Sequence, residues 1–376
     1  MKAIGIILAG GNSNRMKGLS RKRAIAALPI AGSFRCIDFA LSNMTNSKIQ
    51  TVAVLTQYNN RSLNEHLNSS KWWDFGRKQG GLYIFSPTIT PENSNWYLGT
   101  ADAMYQNLDF LKRLHEPYVV ITSGDTVYKL DYNKVLDYHV AKKADITVCV
   151  REMPEGRDLT RYGIVTTDEE GRITEIEEKP MVAKSRTIST GIYVIRRRLL
   201  IELLERNAKE GRYDFVNDIL YRHRNVRRIM AYPMEGYWSN IADADDYYRT
   251  NLEFLSREVR HFFFREEPFI YSKIHDLPPA KFNPGSAVPD SLIAAGCIVN
   301  GRVEHSVLFK QVFIGKGCVI RNSVILPNSF IADGSVIENC IVESNCAIRP
   351  NSEYRGSNGE ILVVSEPGTR YTVEAD

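Results

Sequence analysis

A short aliphatic period near the end of the chain restricts the possible folds more than any other feature. Ile314, Ile320, Ile325, Ile331, Ile337, Val342 and Ile348 follow one another at steps of 6, 5, 6, 6, 5 and 6 residues. Positions 314, 331 and 348 are therefore 17 apart, as are 308, 325 and 342. Neither the 3.6-residue period of a helix nor the two-residue period of a long strand gives such a series. Three short flat strands per coil, with coil stacked on coil, do give it. Gly315, Asn322, Asn328, Asp333 and Gly334 supply small or polar corners. An irregular β-sandwich would have to reach six matching steps by chance.

The first two-thirds of the chain reads differently. Ala3–Leu8, Thr51–Leu55, Tyr118–Thr122 and Ile146–Val150 are continuous apolar runs, the pattern of strands covered on both faces of a parallel sheet. Helical patterns at Thr100–Leu114 and Tyr132–Lys142 lie between them. Strand–helix alternation predicts a doubly wound α/β domain with its ligands beyond the carboxyl ends of the strands. The opening MKAIGIILAGG has the look of a short signal peptide, but its apolar run ends at a glycine pair, so a buried strand is the better reading. Phe262–Phe264 and Pro268, Pro278, Pro279, Pro284 and Pro289 interrupt any helix and mark a connector. The expected layout is an α/β domain over 1–255, a connector over 256–288 and a coil domain over 289–376. A chain of 376 residues is long enough for two cores.

The net charge of +4, from 48 basic and 44 acidic residues, is too weak to argue for nucleic acid. No run of about twenty apolar residues predicts a membrane span. Six scattered cysteines without Cys/His ligand spacing argue against structural zinc and for buried thiols in a reducing cytoplasm.

Five segments carry candidate chemistry. Leu8-Ala9-Gly10-Gly11-Asn12-Ser13-Asn14-Arg15 follows the first strand. Its glycines let backbone amides approach phosphate, and Arg15 can complete the cradle. It lacks the terminal Gly-Lys-Ser/Thr of a P-loop and the GxGxxG of dinucleotide-binding proteins; a strand-end turn with an incidental arginine is the plainer alternative. Asp125, in Ser123-Gly124-Asp125, stands at a strand's carboxyl end, where a carboxylate can hold Mg²⁺ on a triphosphate or merely close a turn. Glu178 and Lys179 precede Ser189-Thr190-Gly191 and can bind a sugar phosphate, or form a solvated charge run. Trp96-Tyr97-Leu98-Gly99-Thr100 reads as an aromatic platform or a core pair, with Thr100 as the expected N-cap. The cluster Arg21, Lys22 and Arg23 can hold phosphate or be solvated.

Taken together, LAGGxxxR, Thr56-Gln57-Tyr58, Trp96-Tyr97-x-Gly99-Thr100-Ala101-Asp102, Arg161-Tyr162-Gly163-Ile164, Glu177-Glu178-Lys179-Pro180 and Gly236-Tyr237-Trp238 resemble bacterial ADP-glucose pyrophosphorylase, the glucose-1-phosphate adenylyltransferase family. The resemblance runs through nearly the whole chain. It implies a Rossmann-like, GT-A-like nucleotidyltransferase domain followed by a left-handed parallel β-helix, Mg²⁺ as cofactor, and ATP and glucose 1-phosphate as ligands. Arg15 and Asp125 match catalytic positions. Leu8, Gly10, Gly11, Gln57, Tyr97, Gly99 and Thr100 match the nucleotide side. Gly163, Glu178, Lys179 and Ser189 match the sugar-phosphate side. Arg21, Arg23 and Arg35 are candidates for a phosphorylated effector.

Four departures share one direction. The family's second metal aspartate is here Asn240, and the lysine of its A-K-P-A-V-P segment is Ile25. The basic residue of W-Y-R/K-G-T is Leu98, and the effector-linked lysine of G-G-K-F/Y-R is Ser33. Ser13 also replaces the loop's third glycine. The pattern resembles the GlgD-type regulatory subunit, which assembles with a catalytic homologue, in a hetero-tetramer as the family implies. A competent enzyme in which Asp243, Asp245 or Asp246 replaces the lost carboxylate, and a sensing protein without a partner enzyme, are the competing readings.

Overall fold

The computed structural model describes residues 2–11, 14–76, 80–89, 96–357 and 359–365. Two compact units emerge: residues 1–11 with 39–238, and residues 12–38 with 239–376. Arg15 and the segment up to Asp38 thus belong to the second unit, although they follow the first strand in sequence.

The first unit is built on a nine-stranded sheet. Its strands are β1 (Ala3–Leu8), β2 (Thr51–Leu55), β3 (Gly81–Phe85), β4 (Tyr118–Ser123), β5 (Ile146–Glu152), β6 (Gly163–Thr167), β7 (Ile173–Glu178), β8 (Thr187–Arg196) and β9 (Ile229–Pro233). The order is β7-β6-β8-β4-β1-β2-β3, with β5 pairing β8 and β9. β3, β2, β1 and β4 are mutually parallel, as the apolar runs predict. The sheet is nonetheless mixed, because β8 lies antiparallel to β4 and β5. Its apolar stretch Ile192–Ile195 has the same buried character as a parallel strand, so composition alone does not disclose its direction.

The helical pattern over 100–114 forms two pieces, α1 (Thr100–Tyr105) and α2 (Leu108–Arg113). Between them, Asn107 Nδ2 donates to the Ala103 carbonyl and to Tyr97 Oη, a side-chain bond to the backbone that competes with the helix ladder. Asp131 caps α3 (Tyr132–Ala141) by accepting from the Asn133 amide at 2.9 Å. Helix α4 (Arg197–Lys209) packs its leucines into the core below β8.

In the second unit, three parallel sheets form the sides of a left-handed β-helix. Ile314, Ile331 and Ile348 stand in one register; Val303, Ile320 and Ile337 in the next; Leu308, Ile325 and Val342 in the third. All nine are essentially buried, and each contributes about 1.5–3 kcal/mol relative to exposure. The corners fall in 17-residue columns as well. Asn322 and Asn339, Asn328 and Asn345, and Gly334 and Asn351 all have positive φ, a region asparagine and glycine tolerate best. The serine column adds a ladder: Ser306 Oγ accepts from the Ser323 amide at 3.0 Å, and Ser323 Oγ from the Cys340 amide at 3.2 Å. Coil stacking starts at Lys281–Phe282. The segment read as connector opens with a helix, α6 (Arg257–Phe264), which follows α5 (Ala244–Glu253); the helix-breaking prolines all lie beyond Phe264. All six cysteines are buried free thiols, and no helix among the described residues is long and apolar enough to cross a membrane.

Candidate functional site

Three parallel strands end at one edge of the first unit's sheet and deliver the nucleotide-side residues. Gly10 and Gly11 follow β1, Gln57 follows β2 and Asp125 follows β4. Backbone bonds lock these exits together: the Ala9 amide donates to the Leu55 carbonyl at 2.8 Å, and the Gly124 amide to the Leu8 carbonyl at 2.9 Å. A Cβ at Gly10 would come within 3.2 Å of Gln57 Cβ, so a larger residue here would have to push Gln57 aside by a few tenths of an ångström.

Gln57 Oε1 accepts from the Tyr97 amide at 2.9 Å, and Tyr58 stacks on Trp96 at 5.7 Å. Asp102 Oδ2 accepts from the Leu98 amide and from Gln106 Nε2, both at 2.8 Å. Thr100 does not cap its helix; its hydroxyl accepts from the Phe215 amide at 3.0 Å, and Gly99 occupies the cap position. A Cβ at Gly99 would sit 2.4 Å from the Tyr213 carbonyl oxygen, so the aromatic loop can close down only on glycine. Asn107, which anchors the Tyr97 hydroxyl, is absent from the sequence motifs; its only signal there is an amide pair, Gln106-Asn107, inside a helical pattern. Leu98 is 56 % exposed, an apolar side chain in solvent where the family motif has a cation.

Asp125 receives hydrogen bonds from the Ser123 and Thr126 hydroxyls, both on Oδ1. Desolvation holds its carboxyl above the usual range despite these bonds, since removal from water disfavours the charged form.

The sugar-phosphate candidates form a second cluster in the same unit. Gly163 and Glu178 face each other in the β6–β7 register. A Cβ on Gly163 would lie 3.0 Å from Glu178 Oε2 and 3.7 Å from Ser189 Cβ. Lys179 Nζ lies 3.0 Å from Glu178 Oε1 and stays largely exposed. Glu177 is instead taken by Lys184 at 2.8 Å. The four residues Gly163, Glu178, Lys179 and Ser189 are thus brought together, with one exposed ammonium and one carboxylate for a phosphate and its sugar hydroxyls.

The remaining candidates belong to the second unit. Arg15 sits exposed in a single turn, Asn14–Met16, whereas Ser13 lies outside the described residues. Arg21 is exposed. Arg23 is committed to Glu343 at 3.2 Å, with both side chains about 15 % exposed (15 % and 14 %). Ile25 is 5 % exposed in the turn Ile25–Ala27, so this position faces the interior rather than solvent. Asn240 Oδ1 is buried and has no hydrogen-bond partner among the described residues. Of the three neighbouring acids, Asp243 caps α5 through the Asp246 amide at 2.7 Å, and Asp246 is paired with Arg249. Only Asp245 is exposed, 4.0 Å from Lys17.

Arg35 has basic company that the motifs do not disclose. Lys310 lies 2.8 Å from His275 Nε2. Burial, with Arg35 and Lys273 adding repulsion, lowers its ammonium to about 8. A lysine whose folded pKa is depressed destabilises the fold below that value, and the penalty disappears above its unfolded pKa. Lys310→Met is therefore expected to raise Tm at pH 7, with a gain that shrinks as the pH approaches 10. A pH-independent change in thermal scans would contradict this account.

Residues 4–257 match the nucleotidyl transferase family and residues 278–358 the GlmU-like C-terminal hexapeptide family. The chain is 41 % identical over 321 residues to the glucose-1-phosphate adenylyltransferase of Thermosipho melanesiensis, covering 85 % of this chain and 77 % of that one. Similarity to the enzyme of Geobacillus stearothermophilus is 40 % over 323 residues, covering 85 % and 83 %. For Bacillus anthracis it is 39 % over 326 residues, covering 86 % of each chain.

Proposed function

The chain belongs to the glucose-1-phosphate adenylyltransferase family, and we propose that within it this protein is a cytoplasmic subunit of ADP-glucose pyrophosphorylase in glycogen synthesis, with little turnover of its own, that modulates a catalytic homologue in a hetero-tetramer. The observation that carries the reading is Asn240. A neutral amide stands where the family has a metal-binding aspartate, and its oxygen is buried without a donor among the described residues.

In the reaction of the family, a phosphate oxygen of glucose 1-phosphate attacks the α-phosphorus of ATP. A new P–O bond forms as the α–β bond breaks and pyrophosphate leaves. Such a transfer is served mainly by positioning and charge neutralisation. The amides of Gly10 and Gly11 would approach the triphosphate, and Arg15 matches the family's phosphate-neutralising arginine in sequence. Lys179 would take the sugar phosphate, and Glu178 and Ser189 the sugar hydroxyls. A bound Mg²⁺ would neutralise phosphate charge. Of the family's two metal positions in the sequence, one keeps its carboxylate, Asp125, and the other is a neutral amide, Asn240, a weak pair of donors. No cluster of three His, Cys, Asp or Glu able to hold a metal occurs among the described residues. Ile25 and Leu98 remove two further cations, and losing one such preorganised contact costs about 10²–10³ in rate.

Retained phosphate groups with a weakened metal position favour ligand binding over turnover. For a phosphorylated effector, Arg21 is exposed and Arg35 stands beside Lys310 and Lys273, while Arg23 is held by Glu343. The test is to mix the purified chain with a catalytic homologue and follow pyrophosphate release. A changed maximum rate or effector response of the homologue is expected. Additive rates and no co-elution would instead support a sensing protein without a partner.

A further inference from the structure

We propose that the cavity at the carboxyl end of β5 is a binding site for a small phosphate- or carboxylate-bearing metabolite, with Arg151 as its anchor. The cavity lies wholly within the first unit and measures about 590 Å³, within the range of ordinary small-molecule sites. Val150, Ala231 and Met234 give it an apolar floor, and Thr167 and Thr187 bring hydroxyls to its wall.

Arg151 is the unusual group. Its Nη1 donates to the Gly236 carbonyl, and no carboxylate pairs with it among the described residues. A guanidinium has five N–H donors in a planar fork, so most of them remain for a ligand. Partial burial depresses its pKa against a smaller opposing effect of Tyr237, and a ligand anion would offset that desolvation. The two acids at the cavity do not fill that role. Glu152 is paired with Arg186 at 2.6 Å, and Arg186 also holds Glu155 at 2.9 Å. Glu235 is exposed, where a lone charge is well screened. The hydroxyls of Thr167 and Thr187 have no partner among the described residues, and both can donate to an anion's remaining oxygens.

The position also has a consequence for the sugar-phosphate cluster. In the β5–β8 register Arg151 faces Ile188, Glu152 faces Thr187 and Val150 faces Ser189. Thr187 lines the same cavity, so an anion held there bears on the strand that carries Ser189, two residues further on. The site is distinct from Lys179, and its occupancy does not depend on whether the chain turns over substrate.

Isothermal titration of the full chain with inorganic phosphate and, separately, with malonate tests the assignment and separates the two anion classes. Saturable binding of at least one is expected, weakened about 10–100-fold by Arg151→Gln, since one charge-assisted contact is worth roughly 1.5–3 kcal/mol. Arg151→Lys should recover part of it. Thr187→Val, a nearly isosteric change, should weaken binding several-fold and carries the test if Arg151→Gln does not fold. Absence of saturable binding with both anions, or binding unchanged by these cavity substitutions, would overturn the proposal.

Discussion

Asn240→Asp is expected to raise the chain's pyrophosphate release by about 10²–10³-fold at saturating Mg²⁺, the usual scale for one electrostatic contact in a transfer site. The side chain keeps its shape and gains a charge. In the wild type, Oδ1 is buried and without a donor among the described residues, so none of these already stabilises an anion there. The new carboxylate should therefore have a raised pKa in the metal-free fold. Its destabilising effect is absent at acid pH and grows as the pH rises through that value. Mg²⁺ should reverse the loss, giving the variant a metal-dependent Tm at pH 7. Steady-state assays and thermal scans with and without Mg²⁺ check both statements. A variant as slow as wild type, with no metal-dependent Tm, would place the defect elsewhere. Ile25→Lys is a poorer restoration, because Ile25 is 5 % exposed and an ammonium there would be buried unless a phosphate met it.

Glu343→Ala should destabilise the second unit by about 3 kcal/mol, the scale for stranding one member of a buried ion pair. Arg23 and Glu343 are 320 residues apart in sequence and meet at 3.2 Å. Removing the acid leaves a largely buried guanidinium without its counter-charge. The double variant Arg23→Met/Glu343→Leu should recover most of the loss, since replacing both partners by apolar groups is often neutral. Urea unfolding measures this directly. A loss below about 0.5 kcal/mol would mean that the pair behaves as a surface bridge, and would return Arg23 to the effector candidates.

The β-helix was legible because its period is written residue by residue. A coil side needs an inward aliphatic every five or six positions, and the corner asparagines mark positive φ. The exits of β1, β2 and β4 were legible for a similar reason: continuous apolar runs end at glycine or polar turns. The antiparallel β8 was not, since burial dictates its composition and direction leaves no local trace. Thr100 misled because a hydroxyl before a helical pattern signals a cap, whereas here the Phe215 amide claims it. Arg23 was read as a phosphate candidate because basic clusters are usually solvated or ligand-facing. Its partner lies on a β-helix coil, beyond the reach of any local pattern. Arg151 and Lys310 carry no motif; only the cavity around one and the cations around the other set them apart.

The most direct test of the central claim is the rate at which the isolated chain releases pyrophosphate from ATP and glucose 1-phosphate with Mg²⁺. Turnover far below the ordinary enzyme range of about 1–10³ s⁻¹ is expected. A rate within that range would contradict the account, and would point to Asp245 or another group as the missing carboxylate.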